Sequence, residues 1–246
     1  MRVLKAIQSV CDAPLQIDST KPDVLEAGLR AYNGRPIVNS VNGEEKSLST
    51  VLPLVKKYGA CVVGLTLDES GIPKTAEGRF EIAKRIVERA EAIGIDRRDV
   101  FIDCLTMTVS AEQSACRQTL NALHRVKTEL GCKTCLGVSN ISFGLPNRDL
   151  VTRTFLTMAL EEGLDLPIIN PNIDSITGAV RAYRVLDGID KNSMDFIAAY
   201  NDAVAPAANN NSAASDLDIM TAVFNGLKKE GALLTEKMLA ETGDAM

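Results

Sequence analysis

Residues 61–103 read CVVGLTLDESGIPKTAEGRFEIAKRIVERAEAIGIDRRDVFID, and the fold class follows from that stretch. It opens on a nearly continuous apolar run, Cys61–Thr66, and closes on the start of another, Val100–Leu105. The longer segment between them, Thr75–Ile93, has the amphipathic pattern of a helix. A strand that alternates apolar and polar residues has one wet face. A strand that is apolar throughout is covered on both faces, as in parallel sheets. Strand, helix, strand therefore reads as a right-handed βαβ unit.

The same word repeats in both directions. Further strand-like runs lie at Pro14–Asp18, Pro36–Ser40, Thr134–Asn140 and Leu166–Asn170. Helical stretches separate or follow them at Lys21–Ala31, Lys46–Tyr58, Ala111–Glu129, Asp149–Gly163 and Asp174–Leu186. The chain is thus expected to be α/β, with six parallel strands.

Each strand ends in a small polar group: Asp18, Asn39, Thr66, Asp103, the pair Ser139 and Asn140, and Asn170. Any one of these reads as a helix cap or turn residue, a role Asp, Asn, Ser and Thr favour. Six successive ends of this kind point to a polar binding face, because the strand ends of a parallel barrel meet on one side.

Composition narrows the chemistry. The 246 residues carry 27 Lys and Arg against 32 Asp and Glu, a formal charge of −5. That disfavours a nucleic-acid groove, which needs a basic field. With one His, at position 124 in a helical stretch, imidazole pairs and His-rich metal sites are excluded. No phosphate-binding glycine loop, zinc-protease or serine-hydrolase signature is present. Cys132-Lys-Thr-Cys135 is a lone C-x-x-C leading into a strand, whereas a zinc site needs two more ligands. No metal site is expected. The other cysteines sit in or near apolar runs, as free cytosolic thiols do. No run approaches about 18 apolar residues, and Met1–Val10 lacks the apolar core of a secretion signal. A cytoplasmic setting without membrane contact is the expectation.

The strand-end words are more specific together than singly. They are Leu15-Gln-Ile-Asp18-Ser-Thr20, Ile37-Val-Asn39-Ser40-Val-Asn42-Gly-Glu44, Val63-Gly-Leu-Thr66, Gly71-Ile-Pro73-Lys, Phe101-Ile-Asp103 and Gly137-Val-Ser-Asn140-Ile-Ser-Phe-Gly144-Leu-Pro146-Asn-Arg148. This set resembles the pterin-binding methyltetrahydrofolate methyltransferases. Those comprise the folate modules of cobalamin-dependent methionine synthases and the stand-alone methyltetrahydrofolate:corrinoid methyltransferases. The likeness runs from the N-terminus to about Leu186.

The resemblance implies a TIM-type (β/α)8 barrel with the pterin at the C-terminal ends of its strands. It implies that Asp18, Asn39 and Asp103 grip the ring and that Gly137 and Ser139 line its edge. Asn140 would lie near N5, the nitrogen that carries the methyl group. The chemistry is compatible: an aminopyrimidine edge offers N–H donors to carboxylates, and a carbonyl and ring nitrogens suit amides. A small residue such as Gly137 lets a flat ring approach the backbone. The implied partner is a corrinoid on another domain or protein, and stand-alone relatives are often dimers. Arg148 and Arg153 are candidates to steer an acidic glutamate tail, although exposed helix arginines are commoner.

The sequence departs from the family in two places. Two N-terminal strand words of the family, Gly-Glu-Arg-Ile-Asn-like and Asp-x-Asn-like, are absent, so six of eight β/α units are expected and the barrel would have a gap. Such a gap suggests an N-terminally truncated product or a piece of a larger enzyme. Residues 1–190 then form the incomplete barrel. The Ala/Asn/Ser-rich 191–216 serve as linker, and 217–246 resemble the opening of the helical cap before a cobalamin domain. Two other readings compete: a dihydropteroate synthase on the same fold, and a pterin-binding remnant without turnover. The first is disfavoured because Asp103 is followed by Cys-Leu-Thr-Met rather than that family's Gly-rich loop.

Overall fold

A computed structural model describes residues 2–200 and 236–237. Two compact units emerge, Met1–Asn192 and Ser193–Met246. In the second, a short helix spans Met194–Tyr200 and residues 236–237 are helical. The expected linker beyond residue 200 and most of the expected C-terminal helix lie outside the described residues.

The first unit holds six strands: β1 (Gln16–Asp18), β2 (Ile37–Asn42), β3 (Cys61–Leu65), β4 (Val100–Asp103), β5 (Lys133–Gly137) and β6 (Leu166–Ile168). All neighbours are parallel and the order is sequential, β1 to β6. Among the described residues β1 pairs only with β2 and β6 only with β5. The result is a curled half-barrel with helices between successive strands, as the strand count anticipated.

The helices are α1 (Arg2–Gln8), α2 (Pro22–Ala31), α3 (Glu45–Tyr58), α4 (Ala76–Ala92), α5 (Ala115–Arg125), α6 (Arg148–Glu161) and α7 (Asp174–Leu186). Their ends have local causes. Pro22 starts α2, where its missing N–H costs nothing. Thr75 caps α4 by accepting from the Gly78 amide at 3.2 Å. Gly59, at φ 63°, closes α3 by bonding back to the Lys56 and Val55 carbonyls. The short helix α1 carries no buried residue, which is why periodicity did not announce it.

Most boundaries fall within two residues of the sequence reading, and two differ by more. Helix α5 starts at Ala115, four residues later than expected. The preceding segment is drawn to the neighbouring loop, because Thr108 Oγ1 and Ser110 Oγ both donate to the Phe143 carbonyl, at 2.6 and 2.7 Å. Strand β5 ends at Gly137 rather than Asn140, and Val138–Ser142 forms a 3-10 turn. There the Ser142 hydroxyl and Arg148 both bond the Ser139 carbonyl and remove it from any ladder.

The main core lies between the sheet and the helix layer. Val38, Val62, Val100, Ile102 and Leu136 face outward and meet Leu25, Leu52, Ile86, Leu123 and Leu156 of the helices. Gly64 sits on this face because nothing larger fits. A Cβ there would lie 2.9 Å from Ile86 Cγ2 and 3.2 Å from Ile102 Cδ1. Gly64→Val is expected to cost roughly 1–3 kcal/mol through overpacking, read as a lowered urea midpoint. An unchanged midpoint would contradict this packing.

Candidate functional site

Side chains alternate along a strand. With one set committed to the helix layer, the other set lines the concave face. The register aligns that set in rows. Asp18 pairs with Asn39, Asn39 with Val63, Val63 with Phe101 and Phe101 with Lys133. One step towards the C-terminal ends, Asn42 pairs with Leu65, Leu65 with Asp103 and Asp103 with Cys135. Gly137 pairs with Ile168 above them. Strand β2 can contribute both Asn39 and Asn42, three residues apart, because the register shifts between Asn39 and Val41. The extra residue, Ser40, returns Val41 to the buried core and Asn42 to the concave face.

Two polar clusters result. In the first, Asn39 Nδ2 donates to Asp18 Oδ2 at 3.2 Å. The pair opens into a cavity of about 560 Å³ whose lining includes Ser40, Asn42, Lys46 and Leu65. Neither residue caps a helix: Lys21 occupies the N-cap of α2 and Glu44 that of α3. The sequence reading missed Ser40 and Lys46 as lining residues. Both adjoin quoted polar words, but the bulge that turns Ser40 inward has no sequence signature.

The second cluster is Asp103, Gly137 and Asn140. Asp103 is buried, and its Oδ1 accepts from the Leu105 amide at 2.7 Å. The Gly137 amide also donates to the carboxylate. Burial pushes the Asp103 carboxyl up to about 6, against those two amides and the more distant Arg79 charge. Asn140 is exposed in the 3-10 turn and folds back over Gly137. A Cβ on Gly137 would meet Asn140 Nδ2 at 3.2 Å. Ser139 is exposed and engages through its carbonyl. Leu65, which lines the cavity, is the register partner of Asp103. The clusters therefore flank β3, and Asn39 and Asp103 lie two strands and two residues of rise apart, about 12 Å.

The remaining strand-end residues fall elsewhere. Thr66 is fully buried, with no partner for its hydroxyl. Asn170 closes a turn by accepting from the Asn172 amide. Arg148 is occupied locally. Its guanidinium stacks on Phe143 at 4.3 Å and donates to Ser142 Oγ and the Ser139 carbonyl, each at 3.1 Å. It braces the turn that carries Asn140. Arg153 is exposed on α6. His124 pairs with Glu162 on the outer surface at 3.0 Å. All six cysteines are free. Cys135 adjoins Asp103 in register, and its thiol is pushed up to about 12 by burial and by that carboxylate. No described helix is long and apolar enough to cross a membrane.

A sequence model described as "Pterin binding enzyme" matches residues 1–170. The chain belongs to the pterin-binding enzyme family. Among curated relatives, the methionine synthase of Mycobacterium leprae is 37% identical over 177 residues, spanning 67% of this chain. The chain covers 15% of that relative's length. The methylcorrinoid:tetrahydrofolate methyltransferase of Eubacterium limosum is 30% identical over 194 residues, covering 77% of this chain and 71% of the relative. The sequence relatives of this pterin-binding domain are thus methyltransferases. Among solved structures, dihydropteroate synthase from Xanthomonas albilineans, in complex with 7,8-dihydropteroate, superposes with a TM-score of 0.61 at 19% identity. It covers 75% of this chain and 71% of that one, a likeness of fold alone.

Asp103 gives the cleanest pH signature. Its folded carboxyl titrates near 6 against an ordinary value of 3.8. Between those values the folded state binds more protons than the unfolded one, so stability falls as pH rises. The wild type is expected to lose up to about 3 kcal/mol relative to Asp103→Asn between pH 4 and pH 7. Urea denaturation of both proteins at the two pH values measures it. Parallel pH dependences would show that Asp103 is not the buried acid described.

Proposed function

We propose that the concave face binds methyltetrahydrofolate and that the chain transfers its N5-methyl group to a corrinoid presented by another domain or protein. One observation carries the reading: a carboxylate–amide pair, Asp18 and Asn39, and a buried carboxylate, Asp103, flank an apolar strip at the strand ends. The spacing suits a fused two-ring ligand held by its rim. Asp103 meets the aminopyrimidine N–H groups, Asn39 and Asp18 complete the polar rim, and Gly137 and Ser139 border the edge. The name of the Eubacterium limosum relative writes the transfer in the opposite sense. The groups that hold N5 serve both directions of a reversible step.

The chemistry asks little of the protein beyond position. N5 of a tertiary amine leaves poorly unless it gains a proton or a strong hydrogen bond. Asn140 offers a carbonyl oxygen that can hold a proton at N5 and an NH2 group that can turn to the neutral nitrogen. Among the described residues its side-chain amide has no hydrogen-bond partner and is free to do either. Gly137 leaves the space in which it sits. The corrinoid enters as the methyl acceptor and supplies the nucleophile. In the proposed organisation, residues 1–190 are the pterin-binding unit, 191–216 a linker that opens on the short helix Met194–Tyr200, and 217–246 the opening of a cap next to the corrinoid domain. The setting is the cytoplasm, with a homodimer as the proposed assembly.

Two measurements test this. Asn140→Ala should slow methyl transfer to reduced cobalamin about 100-fold while weakening tetrahydrofolate binding less than threefold. An equal loss of both contradicts the role given to Asn140. Asp103→Asn should weaken tetrahydrofolate binding at least 10-fold by calorimetry, since one charge-assisted contact is worth about that factor. Undiminished binding would remove Asp103 from the site.

A further inference from the structure

Arg79, in the first turn of α4, is only 1% exposed. Its acceptors are all neutral. Nε donates to the Pro73 carbonyl at 2.9 Å. Nη1 reaches the Cys104 and Leu105 carbonyls at 3.2 and 3.1 Å, and Thr119 Oγ1 at 2.7 Å. Its nearest acidic groups, Glu112 and Asp103, act only at a distance. A buried guanidinium without a carboxylate partner is expensive, and an apolar side chain of similar length would fill the space at less cost. Something other than packing therefore accounts for it.

What it holds is the turn behind Asp103. Leu105 has φ 59°, the left-handed conformation that a bulky residue resists. Arg79 and Thr119 both donate to the Leu105 carbonyl, at 3.1 and 3.3 Å. With Leu105 turned this way, its amide points back to Asp103 Oδ1 at 2.7 Å. The chain of contacts is Arg79 to Leu105 carbonyl, Leu105 amide to Asp103 carboxylate. We propose that Arg79 is a positioning residue for the binding of pterin: it fixes the left-handed turn at Leu105 and so aims the Asp103 carboxylate at the ligand. This rests on the reading of Asp103 as a pterin-binding residue. The sequence carried no signal for it, since Arg79 sits among charged residues on an amphipathic helix.

Tetrahydrofolate is the probe, titrated by calorimetry into the full chain and its variants, with circular dichroism as the check on folding. Arg79→Lys keeps the charge but not the planar fork. It should weaken binding at least 10-fold. Adding Leu105→Gly, which adopts φ 59° without strain, should recover at least threefold of that loss. A merely structural arginine would not be rescued at position 105. A folded Arg79→Lys protein with wild-type affinity, or a double variant without recovery, overturns the inference. Should Arg79→Lys fail to fold, Thr119→Val carries the test: about threefold weaker binding supports it and unchanged affinity overturns it. If Asp103→Asn also binds normally, or the wild type binds no tetrahydrofolate, the underlying reading fails instead. Loss in Asp103→Asn with no loss in Arg79→Lys isolates the failure to Arg79.

Discussion

The side-chain alternation of the strands governs this molecule. A parallel sheet covered by helices must give one side of every strand to the helix layer, and what is left over is the site. Val38, Val62, Ile102 and Leu136 satisfy the helices. Asn39, Val63, Asp103 and Gly137 are their in-strand neighbours and face the other way. The position of each functional group is therefore set by the residue beside it. A one-residue slip in β2 or β4 would turn Asn39 or Asp103 into the helix layer and bring Val38 or Ile102 to the concave face.

That constraint explains why so much was legible. Six apolar runs spaced by amphipathic stretches admit few arrangements once right-handed crossovers are imposed. The strand order followed with no long-range information. Asp18, Asn39 and Asp103 stood out because they end apolar runs, where a polar residue is conspicuous. The words around them then pointed to a family. Arg79 and the bulge at Ser40 left no such mark. An arginine in a helix resembles any solvated arginine until the turn it holds is known, and a bulge depends on how a neighbouring strand pairs. The 3-10 turn after Gly137 was misread as strand because its residues, Val138 and Ile141, are those a strand would use. Their side chains are buried, but the backbone is tied by Arg148 and Ser142.

The arrangement also divides labour between rigid and adjustable parts. Asp103 is locked by two amides and stands beside the core. Asn140 is exposed on a short turn that Arg148 clamps from the outside. In the proposed reaction, recognition falls on a group that cannot move, and proton handling on one that can rotate. Thr66 and Thr106 have buried hydroxyls without partners, so the region behind the strand ends is less completely satisfied than the sheet below it.

The thiols give the half-barrel an internal gauge. Cys104, Cys132 and Cys135 are buried, and Cys11 is exposed. Burial and the neighbouring Asp103 carboxylate push the Cys135 thiol well up, so little of it is thiolate at pH 7, and thiolate is the form that alkylating reagents attack. Iodoacetamide would therefore mark the exposed Cys11 before the buried Cys104, Cys132 and Cys135 while the sheet stays closed around its core. Modification of Cys135, beside Asp103 in register, would report openings that expose β5, and a mass spectrum would show when they occur.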